Sequence, residues 1–143
     1  MKLSRRHKRF LYGISILIFT SGLVWFFADR LGGEAHSWNG YLSKIHGMAA
    51  MAYLIVLGTM FPMHIKRSWK ADVNRKNGVF LLGINLILVL SAYGLYYSGG
   101  EYTHWASYWI HSVFGLVSPL LLYLHIRIGK KSVLKKKSER YQR

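Results

Sequence analysis

Long apolar runs separated by short polar connections make up most of this chain. Four runs, near 10–29, 42–65, 78–98 and 106–128, each hold about 20 residues, enough for a helix to cross roughly 30 Å of hydrocarbon. A backbone inside lipid must satisfy its own polar groups, so runs of this length predict helices. Tails and short loops are all that remain. The expected fold is therefore an all-α membrane protein, a four-transmembrane-helix bundle forming a single integral membrane domain over 1–143. The first run follows a basic stretch, as the core of a signal peptide would. Its apolar stretch 10–28 is longer than a signal core and no A-x-A-like site follows, so it reads as a retained helix.

The connections have their own pattern. The first, 29–41, contains Gly32, Gly33, Glu34 and His36; the second outer one, 98–105, contains Gly99, Gly100, Glu101 and His104. Both read as glycine-assisted turns, and their similarity hints at a duplicated helix pair. The connection 66–77 reads as a polar turn, and the tail from Lys130 as disordered or adsorbed on lipid. Trp25, Trp38, Trp69, Trp105 and Trp109 stand at span ends, the aromatic belt of a membrane protein.

Charge supplies an orientation. Of the 20 Lys and Arg residues, all but Arg30 and Lys44 lie before the first span, between the second and third, or after the fourth. This positive-inside distribution predicts both termini in the cytoplasm and a multi-pass protein of the cytoplasmic (inner) membrane. The net charge of +15 thus reports topology and contact with anionic membrane lipid, including a basic tail over 130–143, and not a nucleic-acid surface. With no cysteine, thiolate iron–sulfur ligation, disulfides and covalent c-type haem are excluded.

Ionisable residues at membrane depth are rare and usually functional. This chain has four such histidines, His46 and His64 in the second span and His111 and His125 in the fourth. At about 100° per residue, His64 returns to the azimuth of His46, and His125 to within about 40° of that of His111. Both spans run outside to inside. Measured from centres near Leu54 and Val117, His46 and His111 lie roughly 12 and 9 Å outward, and His64 and His125 roughly 15 and 12 Å inward. The depths pair His46 with His111 and His64 with His125, which suits two non-covalent b-type haems with bis-histidine ligation, so all four histidines are candidate metal ligands. The separations, about 27 Å and about 21 Å, differ by roughly one turn, which tilt or a bend at Pro62 would have to absorb. The second ring nitrogen of each ligand wants a carbonyl or hydroxyl partner, with Ser43, Thr59, Ser107 and Ser118 nearby in sequence.

Haem also needs close approach of the flanking helices, which glycine permits. Gly13 and Gly83 lie toward the inside of the first and third spans, Gly22 and Gly94 toward the outside, one from each helix at each haem level. Ordinary helix packing is the competing explanation for these four residues.

With His111-x3-Gly115-x9-His125 in the fourth span, the histidine pair of the second, and the glycines of the first and third, the chain resembles the small membrane-embedded di-haem b-type cytochromes. That superfamily includes the cytochrome b subunits of bacterial formate dehydrogenases and hydrogenases and the short four-helix bacterial cytochromes b. The likeness covers most of the chain; the separation of 18 between His46 and His64 departs from the commoner 14. The resemblance implies electron transfer between a quinone pool and a redox partner protein or subunit, and an electron-transfer subunit rather than a stand-alone enzyme. A quinone-reactive enzyme is a second class, for which Glu34, His36, Glu101 and His104 would suit proton release; Lys66, Arg67 and Trp69 form an inner candidate already explained by topology. A third is a haem-free histidine-lined metal transporter or a membrane anchor or assembly subunit. The spans carry no Asp or Glu in their interiors for such a path, and Met48, Met51, Met60 and Met63 fit packing as well as metal binding.

Overall fold

The computed structural model describes residues 5–30, 36–71 and 74–141. Among these every regular element is helical: α1 (Arg5–Arg30), α2 (His36–Met60), a π-helical turn (Phe61–Ile65), α3 (Lys66–Lys70), α4 (Arg75–Tyr97) and α5 (Glu101–Tyr141). Four helical stretches are long and apolar enough to cross a membrane, Arg5–Ala28, Gly40–Met60, Arg75–Tyr97 and Glu101–Lys135. The last, at 35 residues, exceeds the roughly 20 that a bilayer requires.

The helices associate as two compact units, Met1–His64 and Ile65–Arg143. In the first, α1 packs antiparallel on α2. Leu11, early in α1, shares a core with Val56 and Met60, late in α2, and Tyr53 packs against it; Ser21, late in α1, meets His46, early in α2. In the second, α4 packs antiparallel on α5: the Asn74 amide that precedes α4 donates to the His125 carbonyl at 3.3 Å, and Ser91 meets His111. Few side chains are buried inside either hairpin. Ile16, Met48 and Ile55 in the first and Leu86, Leu90 and Leu120 in the second are each more than half exposed, a surface suited to lipid and not to water.

Local chemistry explains the breaks. Pro62 lacks an N–H and its ring crowds the carbonyl four residues back, and the helix widens into the π turn there. Asn74 takes the left-handed conformation, with φ 56°, that turns the chain into α4; asparagine tolerates it better than most residues. Between α4 and α5 the chain turns in three residues, with the Ser98 N–H donating to the Gly94 carbonyl at 3.0 Å and the His104 N–H to that of Gly100 at 2.9 Å. Glu101 then opens α5, an acidic residue where the helix dipole favours one.

Two expectations change. The polar connection 66–77 contains the short helix α3, closed by Ala71 N–H donating to the Arg67 carbonyl at 2.9 Å. The basic tail, expected to be disordered or adsorbed on lipid, is helical, since α5 continues through Pro119 and Gly129 to Tyr141.

Candidate functional site

Both outer histidines are held from the neighbouring helix of their own hairpin. His46 Nδ1 lies 3.1 Å from Ser21 Oγ and 3.1 Å from the Ile18 carbonyl oxygen. His111 Nδ1 lies 3.1 Å from Ser91 Oγ and 3.1 Å from the Leu88 carbonyl oxygen. A carbonyl oxygen only accepts, so Nδ1 carries the ring proton in both, and the lone pair of the neutral ring is on Nε2. The serine hydroxyls have donors to spend elsewhere. Ser21 Oγ donates to the Leu17 carbonyl at 2.7 Å, and Ser91 Oγ to that of Leu88 at 3.1 Å. Each hydroxyl oxygen is thereby left to accept from the imidazole N–H.

These serines were not legible as partners beforehand. The four nearby candidates serve other ends: Ser43 donates to the Gly40 carbonyl at 3.1 Å, Thr59 to that of Val56 at 2.7 Å and Ser118 to that of Gly115 at 2.9 Å. Such bonds to the preceding turn are the usual way a helix satisfies a hydroxyl. Ser107 lies against Gly94. The available signal was depth: Ser21 and Ser91 stand beside the outer-level positions of the first and third spans.

The four glycines divide in a way that spacing did not separate. A Cβ on Gly22 would stand 2.9 Å from His46 Cε1 and 3.3 Å from its Nδ1, so the imidazole occupies the room this glycine leaves. A Cβ on Gly94 would run into the Ser107 hydroxyl. Gly13 and Gly83 have nothing within 4 Å of that position. Close approach within the hairpins accounts for the outer pair, whereas the inner pair faces open space.

The inner histidines are not matched in this way. Beside His125 the helix α4 presents Gly78, whose absent Cβ leaves room 3.7 Å from the ring Cε1, and the Asn74 amide bonds the residue's carbonyl. His64 sits inside the π turn, at the end of the first unit. A π turn takes up one extra residue, against a difference of four between the two separations, so the bend expected at Pro62 absorbs only part of the mismatch. Fourteen residues after His46, the spacing that separates His111 from His125, stands Met60, buried with Leu11 and Val56.

Of the loop candidates, Glu34 and the side chain of His36 lie outside the described residues, as do Gly32 and Gly33. Glu101 and His104 are exposed in the first turn of α5. Lys66, Arg67 and Trp69 are exposed on α3, where Trp69 carries the Arg75 guanidinium 5.3 Å over its ring. Among the described residues no group of three or more His, Cys, Asp or Glu side chains converges. No protein-family model, curated protein or solved structure matches the chain.

The donor chemistry fits haem. An imidazole protonated on Nδ1 and hydrogen-bonded there offers Nε2 to a metal, with its ring orientation fixed and its basicity raised. Single imidazoles so prepared suit the axial positions of a porphyrin iron, whereas a structural zinc site takes four protein ligands.

Proposed function

We propose that this chain is a membrane-embedded b-type cytochrome that moves electrons between a quinone pool and a redox partner protein. The proposed ligand pairs are those matched in depth by the sequence, His46 with His111 and His64 with His125, each holding one non-covalent haem. The observation that carries the reading is the repeated approach of Nδ1 to a serine hydroxyl and a carbonyl oxygen at His46 and His111, which calls for an Nδ1–H in both rings. An imidazole buried merely for packing would not need the same preparation twice.

Haem bound at such histidines supplies a one-electron couple. The chain's own residues do the rest. Ile18 and Leu88 carbonyls hold the ring protons on Nδ1, which strengthens the opposite nitrogens as donors. The apolar helix faces exclude water, and Gly13 and Gly83 leave open surface where a macrocycle could lie. The positive-inside charge distribution supports a cytoplasmic position for both termini and an inner-membrane location.

A reduced-minus-oxidised optical spectrum of the purified protein tests this. A sharp low-spin b-type spectrum is expected; a colourless protein that instead binds a divalent metal ion would replace the proposal with metal transport.

A further inference from the structure

We infer that Ser21 and Ser91 are a matched pair of positioning residues, inherited from one duplicated helical hairpin, which make His46 and His111 chemically equivalent Nε2 donors. This rests on the haem reading and assigns two residues to it that are not ligands.

The duplication is visible once the hydrogen bonds are known. Ser21 and Ser91 are 70 positions apart, and so are the carbonyl acceptors' residues Ile18 and Leu88, Gly13 and Gly83, and Ile14 and Ile84. Along the second helix of each hairpin the offset is 65, pairing Ile45 and His46 with Ile110 and His111. Every atom of the clamp is therefore at an equivalent position, and all four distances to Nδ1 are 3.1 Å. Two helices packed by chance would not place a serine, a carbonyl three residues earlier and an imidazole in the same relation twice.

Burial points the same way. Ser21 and Ser91 are the buried polar side chains among the described residues, each 6% exposed, in hairpins that bury very little else. A hydroxyl that only capped its own helix could face lipid or a headgroup, as Thr20 does while bonding the Ile16 carbonyl at 2.9 Å. These two are instead turned inward onto an imidazole. The correspondence does not extend to the inner level, where Met60 stands at the position equivalent to His125.

The test uses the full-length protein in detergent or nanodiscs, with Ser21→Ala, Ser91→Ala and the conservative Ser21→Thr and Ser91→Thr. Three readouts apply: haem content, midpoint potential, and ¹⁵N NMR of labelled histidines in protein depleted of haem, which reports the hydrogen bonding of Nδ1–H without any cofactor. Each Ala variant is expected to weaken haem retention roughly two- to ten-fold, the effect of one net hydrogen bond. It should raise the potential of one and the same spectral component, because a less basic ligand stabilises the oxidised iron less. It should also move the His46 or His111 Nδ1–H resonance, because one of its two acceptors is lost while the Ile18 or Leu88 carbonyl keeps the proton on Nδ1. The Thr variants, which keep the hydroxyl, should restore all three. Serine variants with wild-type potential and Nδ1–H resonance, or variants that act on different components, would overturn the assignment while leaving the haem reading intact. A colourless wild-type protein would overturn the haem reading itself and this assignment with it.

Discussion

Gly22→Ala is the smallest perturbation that reaches the outer site. The added methyl carbon would stand 2.9 Å from His46 Cε1 and 3.3 Å from its Nδ1, whereas carbon atoms rest about 3.5–4.0 Å apart. Unless α1 moves out to the spacing at which the second hairpin accommodates Ala92, the equivalent position beside an intact His111 clamp, the ring must retreat from α1 by about 0.6–1.1 Å. Its Nδ1 bonds to Ser21 Oγ and to the Ile18 carbonyl, now 3.1 Å each, would then stretch to about 3.7 Å or more, beyond hydrogen-bonding range. At about 1 kcal/mol net for each lost bond, the cost is at most about 2 kcal/mol, or up to roughly 30-fold in the population of the competent ring orientation. Haem titration followed by optical and low-temperature EPR spectra measures this directly, with circular dichroism to establish that the helices persist. The outer component should be lost or become high-spin while the inner one stays. Gly13→Ala, in open space, should leave the hairpin unaltered and serves as the control. A Gly22→Ala protein with a wild-type outer component would refute the view that this glycine exists to admit the imidazole.

Other outcomes follow from the same arrangement. His46→Ala and His111→Ala should remove one spectral component and His64→Ala and His125→Ala the other; a silent His64→Ala together with a damaging Met60→Ala would move the inner ligand one turn along α2. Gly13→Leu and Gly83→Leu should lower inner-haem occupancy selectively, since overpacking costs of about 1–3 kcal/mol suffice to displace a macrocycle; equal loss of both components would return these glycines to helix packing. Because the chain has no cysteine, single replacements label cleanly in inverted vesicles: Ser68→Cys and Ser132→Cys should react from the cytoplasmic side and Ser98→Cys only from the opposite one, and the reverse pattern would overturn the orientation.

The spans were legible because a bilayer imposes a length and an apolar composition that few other structures share: the predicted runs fall on α1, on α2 with the π turn that follows it, on α4 to within one residue, and on α5. The histidines were legible because charge-bearing groups are conspicuous in such runs. Their clamps were not. Ser21 and Ser91 look in sequence like Ser15, Thr59 or Ser118, each of which spends its hydroxyl on its own helix, and only packing decides which hydroxyl also meets a neighbour. Gly22 and Gly13 likewise look alike until the imidazole against one and the open space beside the other are seen. Pro62 signalled a bend but not that the helix would widen into a π turn around His64. The helical tail was missed because its residues 130–141 lack an apolar stripe; they continue a helix already nucleated inside the membrane, which spares them the cost of starting one.

The most direct test is the haem-to-protein ratio of the purified full-length chain, read by pyridine haemochrome alongside the reduced-minus-oxidised spectrum. Two non-covalent b-type haems per chain, both low-spin, are the predicted result. A ratio near one would remove the inner pair His64 and His125, and a protein without haem that folds and keeps its His46 and His111 clamps would contradict the cytochrome account altogether.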